Sequence, residues 1–260
     1  MRLRLGIAAL AAATLLAPAA GHGSELEVYS NTQLNVQTQW RGGSTTNVVP
    51  LYEFLTLTGR EVSIPGGQLY FGCRFPARQS YRREIGEAGL RVGDVLSREG
   101  VIGRFGIDFV VRKRHDGWDV FAIEINLRKG GTTHPFLALQ FLTGGALDAA
   151  TGLFMAPSGH AKFYRSTDNL WSARYRGLLP EDLIEILTQN GLHYSPMNET
   201  GVLFHMIGAL SQYGKLGLTA IGNSRDEAES LYASTLRVLD HEAVYRKGDP
   251  IDAVPGFPVE

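Results

Sequence analysis

Apolar and polar residues alternate with the period of a strand in two neighbouring stretches of the chain. In Phe121 to Arg128, alternation puts Phe121, Ile123, Ile125 and Leu127 on one face and Ala122, Glu124, Asn126 and Arg128 on the other. Ahead of it, Arg104 to Val111 sets Asp108 in the middle of an apolar strand, and His115-Asp116-Gly117 between them is a turn signal. Gln68 to Cys73 reads as a further strand. Helical spacing follows along Tyr81, Ile85, Ala88, Val92, Val95 and Leu96 up to Gly100. Phe136 to Leu142 predicts an apolar helix closed by Gly144-Gly145, with Pro135 in its first turn and Thr133 or His134 as N-cap. Pro180-Glu181-Asp182 opens a short helix ended by Gly191, and Thr200 to Leu210 and Leu216 to Ile221 read as strands. Ser224 and Glu227 form a capping box for a last helix along Ala228, Leu231, Tyr232, Thr235, Leu236 and Leu239. Hairpins interleaved with helices predict an α+β fold.

The polar face of the second strand changes this picture from fold to chemistry. A strand gains no packing from a carboxylate, an amide and a guanidinium on one face, and an unpaired buried charge is costly. Hard oxygen donors beside an arginine suit a divalent cation and a phosphate. Whether Asp108 joins them depends on the hairpin. A three-residue loop, His115 to Gly117, puts Asp108 opposite Glu124. A two-residue Asp116-Gly117 turn would put it opposite Ile125, with the acids on opposite faces. A shared metal therefore requires an odd-length loop or a bulge, and a surface hairpin with solvated acids is the competing reading. Beyond the strand, Gly130-Gly131-Thr132-Thr133-His134 leads into the Pro135 helix. Backbone N–H groups at such a glycine-led helix start form an anion site.

These residues resemble a known family. Gly67 to Ala77, Gly103 to Phe109, Glu124 to Pro135, Ser166 to Leu170 and Gly214 to Gly217 together look like the carboxyl-terminal part of an ATP-grasp protein. The similarity runs from about Gly66 to Leu239 and is nearest to peptide ligases of the pheganomycin-ligase-related type. It implies the C-terminal lobe of an ATP-grasp fold, an antiparallel sheet with packed helices, followed by a C-terminal α/β extension. It also implies ATP-dependent joining of a small carboxylate to an amine, each an amino acid or peptide, through an acyl phosphate. Carried over by position, Asp108, Glu124 and Asn126 would hold Mg²⁺, and Arg128 would contact the transferring phosphate or the substrate carboxylate. Arg104 is a further candidate, and Gly130, Gly131, Thr132, Thr133 and His134 would line the ATP phosphates.

The other end of the chain reads differently. Met1 to Arg4 is basic and Leu5 to Ala20 is mostly apolar, with Pro18 inside it, which resembles a secretory signal and is too short for a membrane span. Export would place the protein where ATP is scarce. The motif therefore favours a cytoplasmic protein with a spurious start over residues 1–22, and an exported protein is the alternative. Residues 23–65 are polar and linker-like, 66–145 are expected to carry the metal and phosphate site, 146–242 to complete the domain, and 243–260 to form a tail. No lysine precedes Lys113. The lysine-bearing lobe that closes over ATP is therefore expected from a separate chain or upstream segment. A noncatalytic remnant with the same fold is the second reading.

Composition narrows the rest. A net charge of −1 with no basic run argues against nucleic-acid binding. One cysteine, Cys73, excludes an intramolecular disulfide and reads as a small buried thiol. His193 and His205 read as structural histidines, and Lys162, Tyr164 and Asp168-Asn169 as a solvated strand with a turn, substrate contacts being the alternative for this segment.

Overall fold

The computed structural model describes residues 28–41, 44–48, 53–54, 72–148 and 150–245. Its strands in chain order are β1 (Val28–Arg41), β2 (Ser44–Val48), β3 (Glu53–Phe54), β4 (Cys73–Phe75), β5 (Gly103–Arg114) and β6 (Gly117–Asn126), then β7 (Ala146–Asp148), β8 (Leu153–Met155), β9 (Ala161–Trp171), β10 (Gly201–His205) and β11 (Lys215–Gly222). The helices are α1 (Gln79–Arg98), α2 (Thr133–Thr143), α3 (Pro180–Gln189), the single turn α4 (Leu210–Tyr213) and α5 (Arg225–Tyr245). One sheet has the order β2-β1-β5-β6; the other runs β10-β11-β9-β4-β3, with the β7–β8 hairpin attached to β9 through β8. The pairings between strands are antiparallel, and the fold is α+β as the sequence pattern predicts.

Alternation along β5 builds the first core. Phe105, Ile107, Phe109 and Val111 all point to one face and are buried against Ala77, Tyr81 and Ile85, with Trp118 and Val120 beside them. On α1 the buried track is Tyr81, Ile85, Gly89 and Gly93, at four-residue spacing. Val95 lies off that track and is 57% exposed, so it is not part of the packing face expected of it. The second sheet is covered on both faces. Leu216, Leu218 and Ala220 pack towards α3 and α5, while Ile221, Tyr164, Cys73 and Phe75 pack towards α2.

Several local expectations are corrected. The segment read as linker-like supplies β1, β2 and β3, because backbone pairing with β5 and β4 does not need an apolar pattern. Gln68 to Phe71, and residues 1–22, lie outside the described residues. α5 runs through Tyr245 into the expected tail. The strand expected over Thr200 to Leu210 stops at His205, where Met206 adopts a left-handed φ of 55° and the chain turns into α4. Far from solvated, β9 is an interior strand in which Lys162 and Tyr164 are fully buried. The Lys162 ammonium donates to Asn223 Oδ1 at 2.6 Å and to the Glu199 carbonyl at 3.1 Å, and pairs with the Glu199 carboxylate at 2.9 Å.

Capping follows the sequence with one change. Glu227 N–H donates to Ser224 Oγ (3.1 Å), but the Glu227 carboxylate accepts from Asn223 N–H (2.7 Å), one residue earlier than a capping box requires. Gly144 ends α2 in the left-handed conformation, φ 62°, its N–H donating to Gln140 O at 2.9 Å.

Candidate active site

The β5–β6 hairpin turns through two residues, His115 and Asp116, with Arg114 paired to Gly117. Continued without interruption, that register would set Asp108 opposite Ile123. It does not continue. Phe109 pairs with Ala122 and Asp108 with Glu124, so Ile123 is an additional residue in β6, a β-bulge. The acids face each other because of that bulge.

The bulge also overturns the simple alternation expected of β6. Phe121 opposes Val110 and so shares the outward face with Glu124, while Ile125 opposes Ile107 on the inward one. Because β6 is an edge strand, Phe121, Ile125 and Leu127 remain 47%, 46% and 59% exposed, and the expected core face of this strand is not a core.

Asn126 lies opposite Gly106, two residues from Asp108 on the same face, and its Nδ2 donates to Asp108 Oδ2 at 3.3 Å. Asp108 and Asn126 are half-buried and Glu124 is exposed. Two carboxylates and an amide thus share one surface. Among the described residues no group of three or more His, Cys, Asp or Glu side chains gathers in metal-binding geometry, and this surface has two acids. Arg104 sits on the same face of β5, its guanidinium 5.5 Å from the centre of the Phe136 ring, which ties the acidic face to α2. Arg128 lies past the end of β6 in an exposed segment, its Nη1 donating to Lys129 O at 3.3 Å.

The glycine-led loop is tighter than expected. Thr133 N–H donates to Gly130 O (3.0 Å) and Gly130 N–H to Thr133 Oγ1 (3.1 Å). The helix begins at Thr133 with Thr132 as its N-cap, one residue ahead of the expected start. Pro135 has no N–H, and two amides are engaged inside the turn, so this conformation offers fewer donors to an anion than the glycine pair suggested. Thr132 and Thr133 are buried; Gly131 and His134 are exposed.

His205 adjoins this loop, a role its sequence context did not reveal. Its ring stands 4.4 Å from the His134 ring, tilted by 34°. On β10 it opposes Gly217, and a Cβ added to Gly217 would meet His205 Nε2 at 2.1 Å. The imidazole therefore occupies the space that glycine leaves. Burial first, and the neighbouring His134 second, push its pKa down to about 4, so the ring is neutral at ordinary pH. His193, the other histidine read as structural, is exposed beside a bridge to Val202. Among the described residues no helix is long and apolar enough to cross a membrane.

Comparison with known proteins bears on this arrangement. Residues 182–235 match the family described as PGM1 C-terminal domain. Over 166 residues, 64% of the chain, the sequence is 37% identical to L-propargylglycine--L-glutamate ligase of Streptantibioticus cattleyicolor, and the chain spans about a third of that relative's length (33%). Among solved structures, it is similar to N5-carboxyaminoimidazole ribonucleotide synthetase of Thermus thermophilus (14% identity, 83% of this chain and 52% of that one, TM-score 0.45). A glycinamide-RNase-transformylase T of Mycobacterium tuberculosis is similar too (13% identity, 83% and 57%, TM-score 0.46). Over part of its length, therefore, this chain is similar to a protein named as a ligase.

Proposed function

We propose that this chain carries the metal and phosphate half of a Mg²⁺-dependent, ATP-grasp-type ligase that joins the carboxylate of one amino acid or peptide to the amine of another. The observation that carries the reading is the bulge at Ile123, which sets Asp108 opposite Glu124 with Asn126 beside them. Facing carboxylates repel unless a cation or proton lies between them. The donor set fits Mg²⁺, which prefers oxygen ligands and keeps part of its water shell. Asn126 already points its nitrogen at Asp108, leaving its amide oxygen for the ion. When bound, the metal would neutralise charge on the ATP phosphates.

The chain's own residues have distinct tasks in this reading. Asp108 and Glu124 would hold the ion, and Asn126 donates to the Asp108 carboxylate. Arg128, permanently charged and on an exposed segment, can turn towards the transferring phosphoryl group and grip it at two points. Arg104, braced on Phe136, adds positive charge beside the acids. The loop from Gly130 to His134 would approach the phosphates; attack of the substrate carboxylate on the γ-phosphate of ATP would release ADP and give an acyl phosphate, from whose carbonyl carbon the amine would displace phosphate to form the amide. No protein nucleophile is needed, in keeping with a buried Cys73.

The site is placed on the β5–β6 hairpin and the part that completes it on the sheet around β9 and β11, with the lysine-bearing ATP lobe contributed by further sequence or a separate chain and the reaction taking place in the cytoplasm. The relative is named as a ligase for propargylglycine and glutamate, so amino-acid pairs containing glutamate are the first substrates to assay. Mn²⁺, followed by its electron paramagnetic resonance spectrum, is the direct probe of the metal site. It should bind the wild-type chain and be displaced by Mg²⁺, and Asp108→Asn should weaken it about tenfold or more. Equal Mn²⁺ affinity in the variant would remove the site. Metal binding without ADP release, even when the ATP lobe is supplied, would identify a noncatalytic relative.

A further inference from the structure

The second sheet carries a carboxylate that the metal site does not use. β9 and β11 pair in register up to Leu218 opposite Thr167 and resume at Leu216 opposite Leu170, so Gly217 faces the two residues Asp168 and Asn169. On its other side Gly217 pairs with His205. Three strands thus place His205 and Asp168 on either side of a residue without a side chain. The face is fixed by the hydrogen bond between Ser166 and Thr219 (2.8 Å), which lies on the α2 side of the sheet. Alternation from Ser166 brings Asp168 to that side, and alternation from Gly217 brings Lys215 there.

Asp168 is half-buried; its carboxylate accepts from its own backbone N–H and forms no ion pair within salt-bridge distance among the described residues. Burial raises its pKa, and the attraction of Lys215 offsets this only in part. A carboxylate held out of water without a cation is stabilised by one. The neighbouring His205 ring is uncharged, so it adds no repulsion, and it has a buried Nδ1 with no partner. His134, on α2, stands against the His205 ring, and Lys215 is the charged neighbour of Asp168.

We propose that the surface between Asp168 and His205 binds the ammonium group of an amine, with Asp168 supplying the charge and His205 a neutral acceptor. Its assignment as the acceptor-amine subsite rests on the ligase reading; the binding itself does not. His134 connects it to the phosphate loop, so an amine held there lies on the side of the sheet from which an activated carboxylate would be approached.

Two simple probes test the site without ATP or turnover. Titrating the chain with n-butylamine hydrochloride at pH 7, while following the imidazole resonances of His205 and His134 by NMR, should give saturable shifts with an affinity on the order of millimolar. Sodium butyrate and sodium chloride at the same ionic strength should give none. Asp168→Asn should weaken the amine response by about tenfold, the loss of one charge-assisted contact. A linear response to all three salts, or an unchanged affinity in Asp168→Asn, would overturn the proposal. Should that variant fail to fold, the preference of the wild-type chain for butylamine over butyrate decides alone. A chain that binds butylamine and never releases ADP keeps the site and loses the ligase reading, whereas ADP release without amine binding does the reverse.

Discussion

Replacing Lys162 by methionine tests the most deeply buried charge of the second sheet. Lys162 has no exposed surface, and methionine keeps most of its unbranched stem while removing the ammonium. Three acceptors then lose their donor: Asn223 Oδ1, the Glu199 carbonyl and the Glu199 carboxylate. Each neutral acceptor left without a partner costs at least ~1 kcal/mol. The carboxylate retains Ser158 Oγ at 2.5 Å and some contact with solvent, so it adds ~1 kcal/mol and not the full cost of an orphaned charge. The sum, ~3 kcal/mol, lies at the low end for breaking one side of a buried pair. For a domain of this size that lowers Tm by ~6–12 °C. Thermal unfolding followed by circular dichroism measures it. Adding Glu199→Gly should restore part of the loss, since it removes the stranded carboxylate and suits the left-handed φ of 53° at that position. A Lys162→Met protein melting within ~2 °C of wild type would refute the reasoning, and would mean that water reaches all three acceptors.

Two further outcomes concern His205. Its folded pKa, about 4, is below the ordinary 6.5, so the unfolded chain takes up a proton in this window that the folded one refuses. The stabilisation is complete above pH 6.5 and is lost as pH falls towards 4; discounted for partial exposure it amounts to ~1–2 kcal/mol. Urea denaturation from pH 7 to 4.5 should therefore show a shallower loss of stability in His205→Ala, and parallel curves would contradict the assignment. Gly217→Ala should cost ~1–3 kcal/mol by colliding with the His205 ring and close to nothing in a His205→Ala background. Equal costs in both backgrounds would show that the ring does not fill that space.

How much the sequence disclosed depended on the range of the interaction. α1, α5 and the β5–β6 hairpin were legible because their residues repeat locally with a helix or strand period, and the Asp108–Glu124 pairing was legible as a condition on the hairpin. The means of meeting that condition was not, since Ile123 looks like any other strand isoleucine and only its pairing makes it the additional residue. β1 has only a short alternation, Leu34, Val36 and Trp40, among mostly polar residues, and its backbone partner is β5, far along the chain. Lys162 reads as solvated in any single sequence, because its three acceptors come from segments 37 and 61 residues away. The approach of His134 to His205 is likewise a tertiary event, and Gly217, the residue that makes room for it, carried the only local hint.

The pairing of β4 with β9 has a consequence for how distant parts of this chain are held together. Arg74 and Arg165 are directly opposite each other across those strands, an arrangement that like charges oppose. Glu229 of α5 accepts from both guanidinium groups, and Arg165 also lies over the Tyr232 ring at 3.9 Å. In the folded chain the repulsion is relieved by the last helix, through a carboxylate 155 residues beyond Arg74. Docking of the C-terminal helix therefore strengthens the attachment of β4 to the sheet and ties two distant parts of the chain together through one carboxylate.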